Sequence, residues 1–218
     1  MKVLFFIILI ISGFSIYSFK SFELSLLNGG FSWTMSKLLP YITLVIEGIL
    51  LAYSFAKGFK IKVKIVKVLV ALVLFAAPFI AGFVLHPIYQ GDFSSEGTEA
   101  ASDKVKVDEK YDLLVVTIPG CPYCLASIEQ LKMIKKRTPE ANILFSVCSS
   151  DKRDLELYKT LIDGKFDIAL ADDVEASVKL AEGHFPTFVQ IKKGLPVYKW
   201  SNDQFGAGSM DKFEAEAK

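Results

Sequence analysis

Three long apolar runs fill the first ninety positions, after which the pattern changes to short apolar runs separated by polar turns. The long runs cover residues 3–19, 38–56 and 65–85. Each is close to the ~20 residues a helix needs to cross a bilayer. The third contains Pro78, a residue that membrane helices tolerate as a kink. Residues 1–90 are therefore read as an α-helical membrane region with three transmembrane helices. The first run follows Lys2 and has the apolar core of a signal sequence, but no A-x-A-like cleavage site follows it, only weak small-residue candidates at 12–21. It is read as a retained helix.

Residues 91–103 are rich in Gly, Ser, Glu and Ala and read as a flexible linker. From residue 104 onward the pattern alternates between strands and helices. Residues 111–118 predict a buried strand. Residues 122–137 predict a helix with Leu125, Ile128, Leu131 and Ile134 on one face, stopped at Thr138-Pro139. A strand at 142–148 and a helix at 151–162 follow, with Asp151 as its cap. A short apolar run spans 166–170, and a helix over 172–182 stops at Gly183. Strands at 187–192 and 197–200 flank Lys193-Gly194 as a hairpin, and a helix capped by Ser209 covers 209–218. Strand–helix–strand–helix, then hairpin–helix, predicts an α/β domain with a mixed central sheet over 104–218.

Composition sharpens this division. Residues 1–91 hold 8 Lys and 2 Glu; residues 92–218 hold 17 Lys and Arg against 22 Asp and Glu, so the overall net charge of +1 conceals a basic half and an acidic half. The acidic half would repel phosphates, and no basic stretch interleaved with aromatics exists, which argues against nucleic acid as a partner. Lys57, Lys60, Lys62, Lys64 and Lys67 lie between the second and third runs with no acid among them, whereas residues 20–37 carry two Lys and one Glu. The positive-inside rule puts the lysine loop in the cytoplasm and residues 92–218 outside it. That assignment rests on the last two helices alone.

The candidate chemistry is concentrated at Cys121-Pro122-Tyr123-Cys124, which holds two of the three cysteines. The tetrapeptide falls between a predicted strand and a predicted helix. Cys121 is then the helix N-cap, where free backbone N–H groups and the helix dipole favour a thiolate, and it is the expected attacking thiol. Pro122 suits the first helical position, where an N–H would be unpaired anyway. Cys124 lies one turn in and resolves the mixed disulfide. Tyr123 is expected on the exposed rim, contacting substrate. The alternatives are half a zinc site or a structural disulfide. Zinc would need two more ligands, and only Cys148, His184, His86 and acids are available, so no metal is expected. Cys148 ends a predicted strand and reads as a buried, inert thiol, with a third redox thiol as the sharper alternative. His184 reads as a loop residue that lies near the dithiol. Glu47 sits in the middle of the second apolar run, where a carboxyl group is costly and marks a candidate functional residue. Asn28 to Trp33 reads as an interfacial turn.

The element order, Cys-Pro-Tyr-Cys, and Phe185-Pro186-Thr187-Phe188 together resemble the thioredoxin fold over residues 104–218. The resemblance implies that Pro186 forms a cis bond facing the dithiol, and that Phe185, Pro186 and Thr187 hold an extended substrate segment beside Cys121. Two positions depart from the family: Gly120 stands where thioredoxins carry Trp, and Val115 where they carry a buried Asp. Asp112 or Glu129 would have to take over that carboxylate's role. The tetrapeptide itself is similar to those of glutaredoxins and periplasmic DsbG-like proteins. In the membrane half, Ser12-Gly13-Phe14, Phe22-Glu23-Leu24, Gly30-Phe31-Ser32-Trp33, Leu39-Pro40 and Glu47-Gly48 resemble the MauE/DoxX family of bacterial membrane proteins over residues 4–85. That family has four-helix bundles associated with redox or maturation systems, and its acidic residue after the Leu-Pro segment maps to Glu47. No cysteine precedes Cys121, so the membrane half cannot relay electrons through thiols. It would be an anchor, a partner-binding surface, or a site for non-thiol chemistry such as a quinone.

Together these readings predict a multi-pass protein of the bacterial cytoplasmic (inner) membrane with a periplasmic thiol–disulfide oxidoreductase domain. It would need no cofactor beyond the Cys121–Cys124 disulfide. Its partners would be protein thiols and disulfides, a separate redox partner, and the lipid bilayer. A maturation or assembly factor of the MauE type and a quinone-linked membrane redox protein are the alternatives.

Overall fold

The computed structural model describes residues 1–100 and 105–217 and divides into two units, Met1–Ile88 and Tyr89–Lys218. In the first unit four helices follow one another: α1 (Lys2–Tyr17), α2 (Phe19–Asn28), α3 (Trp33–Gly58) and α4 (Lys64–Leu85). The sequence reading placed one span at 3–19. The chain there instead forms α1 and α2, bent by 66° at Ser18. At 1.5 Å per residue, α1 alone reaches only about 24 Å. Two helices, α3 and α4, are long and apolar enough to cross a membrane, and the bent pair makes a third if it counts as one span. The second predicted run starts late, because α3 begins at Trp33, where the Ser32 hydroxyl accepts the Met35 N–H at 3.2 Å.

Close backbone packing holds α3 to α4. A Cβ added at Gly48 would lie 2.1 Å from the Phe75 carbonyl oxygen, and one at Gly82 would lie 2.3 Å from a Leu44 methyl. These glycines let the two helices touch. The outer faces of the bundle stay apolar: Ile10, Val73 and Val84 are among the most exposed side chains. Such a surface is unfavourable in water and compatible with lipid. Lys64 and Lys67 open α4, where the helix dipole disfavours cations. Helix energetics therefore do not ask for lysines at these positions.

The second unit is a six-stranded mixed sheet in the order β1-β6-β5-β2-β3-β4, with helices packed on it. Its strands are β1 (Thr98–Glu99), β2 (Leu113–Thr117), β3 (Ile143–Val147), β4 (Asp167–Leu170), β5 (Thr187–Lys192) and β6 (Leu195–Trp200). Its helices are α5 (Pro122–Arg137), α6 (Asp154–Ile162), α7 (Val174–Ala181) and α8 (Ala207–Glu216). β2, β3 and β4 are parallel, and β5 returns antiparallel to β2. All five β2 side chains are buried, as expected for a central strand covered on both faces. On one side of the sheet, Leu114, Val116, Val189 and Ile191 pack with Leu180 and Ala181 of α7. Ile128, Leu131 and Ile134 of α5 are fully buried, each worth roughly 1.5–3 kcal/mol of apolar burial. The hairpin turn is Lys193-Gly194, both with positive φ, the geometry that matches strand twist in a two-residue loop.

Several helix starts differ from the sequence reading. Asp151 does not cap α6. It binds the Arg153 backbone and guanidinium one turn earlier, and α6 begins at Asp154. The helix expected over 172–182 begins at Val174, with Asp173 as its cap. Ser209 lies inside α8, fully buried, with its hydroxyl donating to the Gln204 carbonyl at 2.6 Å. The segment read as a linker is ordered where it is described. Residues 90–92 form a 3₁₀ turn, β1 pairs with β6, and Gly91, Asp92 and Ala100 are buried. Glycines make this docking feasible, since a Cβ on Gly91 would lie 2.0 Å from the Gln204 oxygen. Positions 101–103 of the expected linker, and position 104 of the expected domain, lie outside the described residues.

Candidate functional site

The site is built where β2 hands over to α5. Gly120, at φ +68°, turns the chain off the strand in a left-handed conformation that a side chain would strain. This accounts for glycine where a Trp was noted as missing. Cys121 then takes the N-cap position with extended backbone angles, and Pro122 opens the helix. Cys121 and Cys124 form a disulfide. The Cys124 N–H donates to Cys121 Sγ at 3.1 Å, so an otherwise orphaned helix-end donor is aimed at this sulfur. Cys121 is 7% exposed and Cys124 fully buried, which makes Cys121 the sulfur an incoming group meets first. Tyr123, between the two cysteines, is 65% exposed.

The second wall comes from the loop between α7 and β5. The Phe185–Pro186 bond is cis, and the Phe185 carbonyl oxygen lies 3.9 Å from Cys121 Sγ. Thr187 starts β5 opposite Val116 of β2 and is buried, and its hydroxyl donates to the His184 carbonyl at 2.5 Å. Phe185, Pro186 and Thr187 therefore stand beside the dithiol. His184 is exposed, and what it gives this wall is its carbonyl.

The carboxylate substitutes do not reach the site. Asp112 accepts the Asn142 N–H at 2.8 Å at the start of β2, about 17 Å of strand away from Thr117. Glu129 is exposed and paired with Lys132. Val115, fully buried, pairs with Phe145 and Phe188 at the sheet centre. A polar group that sequence reasoning missed lies nearby: the Tyr158 hydroxyl on α6 donates to the Ile118 carbonyl at 2.7 Å. No local pattern marks it, since 40 positions separate the two residues. Cys148 is buried after β3, and burial pushes its thiol up to about 11, the inert reading. Among the described residues no cluster of three or more His, Cys, Asp or Glu is arranged to hold a metal.

Glu47 is 94% removed from the surface of the first unit, being 6% exposed. Its Oε1 accepts the Ser15 hydroxyl at 2.6 Å, and its Oε2, like the buried Ser12 and Ser36 hydroxyls, has no partner among the described residues.

No family model matches the chain, and no curated protein does. Among solved structures, it is similar to a secreted Mycobacterium tuberculosis disulfide oxidoreductase homologous to E. coli DsbE, at 18% identity and a TM-score of 0.38, over 50% of this chain and 81% of that one. It is also similar to a thioredoxin-like protein from Bacteroides caccae, at 12% identity and a TM-score of 0.35, over 84% of this chain and 82% of that one.

Proposed function

We propose that this chain is a membrane-anchored thiol–disulfide oxidoreductase that acts outside the cytoplasm on protein thiols and disulfides. One observation carries the reading: the Cys121–Cys124 disulfide sits at the start of α5, with the Cys124 N–H on the outer sulfur and the Phe185 carbonyl facing it. In the reduced state the same N–H and the helix dipole stabilise negative charge on Cys121 Sγ. The Cys121 thiolate attacks a substrate disulfide, forms a mixed disulfide and expels one substrate thiolate. Cys124, as thiolate, then attacks Cys121 Sγ, closes the disulfide and expels the second. Two electrons and the balancing protons pass to the substrate. The reverse sequence oxidises a substrate dithiol. Either way, a separate partner resets the dithiol, because the membrane half contains no cysteine.

The anchoring part of the proposal rests on α3, α4 and the bent α1–α2 pair. Its orientation rests on the lysines at 57–67, and a periplasmic location follows from it. The decisive test replaces Cys121 with Ser and follows exchange with a disulfide-bonded model protein. Retained exchange refutes the mechanism. Orientation is tested separately in a cysteine-free background. An impermeant maleimide should label Asn202→Cys and leave Lys60→Cys untouched in intact cells, and the opposite pattern inverts the topology.

A further inference from the structure

The loop that delivers Cys121 is fastened by a side chain that the exchange reaction above does not use. Tyr158 is 1% exposed, and its ring packs against Phe145 with centroids 5.1 Å apart, so the hydroxyl is held rigidly. That hydroxyl donates to the Ile118 carbonyl at 2.7 Å, just past the end of β2 and three residues before Cys121. The two residues between Ile118 and Cys121 supply no comparable anchor. Pro119 has no N–H, and Gly120 has open space where a Cβ would be, so packing does not hold it.

We propose that Tyr158 is a positioning residue for the dithiol: its hydroxyl fixes the Ile118 carbonyl, the point at the end of β2 from which the chain turns to Cys121, and thereby keeps Cys121 Sγ in place over the Cys124 N–H. The proposal rests on the oxidoreductase reading and deepens it. Burial raises the Tyr158 hydroxyl above its ordinary range. The group therefore stays protonated, and a donor, across the range in which a thiol titrates. Being neutral, it orients the loop without placing a second negative charge beside a thiolate, as a buried carboxylate would. The other titratable groups around Cys121 are Cys124 on its own helix, Asp154 on α6, and His184 next to Phe185.

The test uses the full reduced chain in detergent. The rate of Cys121 alkylation by iodoacetamide is measured against pH by peptide mass spectrometry for the native chain, Tyr158→Phe and Tyr158→Leu. Buried Cys148 serves as a fold reporter, since it stays unlabelled while the domain is folded. Tyr158→Phe should raise the midpoint and slow alkylation at pH 7 by about three- to tenfold, the worth of roughly one hydrogen bond, with Cys148 still protected. If Tyr158→Phe titrates like the native chain, the proposal is wrong, and a shift seen in Tyr158→Leu alone assigns the effect to ring packing. If Tyr158→Phe exposes Cys148, the hydroxyl supports the fold rather than the dithiol, and the proposal is overturned. The comparison needs no protein substrate. A reduced native chain that never exchanges with a disulfide-bonded protein therefore defeats the functional reading and not this one.

Discussion

Cys121 Sγ lies 3.9 Å from the carbonyl oxygen of Phe185, a residue 64 positions further along the chain. A carbonyl turned toward a sulfur is indifferent to a disulfide but unfavourable for a thiolate, so the reduced site depends on the opposing Cys124 N–H. The carbonyl is held in place through Thr187, which is paired to β2 and bonded to His184. Thr187→Val keeps the shape and removes that bond. It should cost about 1 kcal/mol of stability. It should also lower the rate of exchange with a model disulfide severalfold, because the loop loses its register against Cys121. Stopped-flow exchange and chemical denaturation measure the two effects separately.

The unequal exposure of the two sulfurs predicts an asymmetric pair of variants. Cys121→Ser should abolish exchange, since Cys124 is fully buried and cannot be attacked from outside. Cys124→Ser should still attack but fail to resolve, so that mixed disulfides with substrates accumulate on non-reducing gels. If Cys124→Ser loses its adducts and Cys121→Ser gains them, the roles are reversed.

Cys148 yields a pH prediction. Burial lifts its thiol from 9.0 to about 11. Below pH ~9 the native and unfolded chains both hold the proton, and the contribution of this group to stability is intact. Between that value and about 11 the unfolded chain releases the proton and the native one does not, so stability falls as pH rises through this window. Cys148→Ala should flatten that alkaline loss and leave exchange at pH 7 unchanged. Denaturation midpoints at pH 8 and pH 10.5 provide the comparison. A Cys148→Ala chain with the native alkaline slope removes Cys148 as its source.

What was legible in the sequence was what local chemistry encodes. The helix after Cys121 is found at 122–137 because proline, an apolar stripe and a Thr-Pro stop all lie within it. The Phe185-Pro186-Thr187 wall was legible only through family resemblance, since nothing in its own spacing points at a sulfur 64 positions away. Two helices start later than their sequence suggests: Asp151 is engaged by Arg153 ahead of α6, and Asp173 caps α7 rather than lying inside it. Tyr158 was invisible because its partner lies on another element. The first apolar run concealed the bend at Ser18, since hydropathy measures length and not direction. Residues 90–100 looked like a tether because docking through glycine and backbone atoms leaves no apolar signature.

That docking supports a last prediction. Gly91 and Gly206 are in backbone contact: a Cβ on Gly206 would lie 2.4 Å from the Gly91 carbonyl carbon, and the Gly91 N–H donates to the Asp203 carbonyl at 3.0 Å. Gly97 is equally confined, with a Cβ there 2.4 Å from the Lys199 oxygen. A flexible tether would accept alanine at all three positions without consequence. An ordered strap cannot, because the obstructing atoms are backbone, and overpacking of this kind costs roughly 1–3 kcal/mol. Gly91→Ala should therefore release the segment from the sheet. Limited proteolysis should cut between residues 89 and 100 in Gly91→Ala and spare the native chain under the same conditions. Rapid cleavage of the native chain in this segment would show it to be a tether after all.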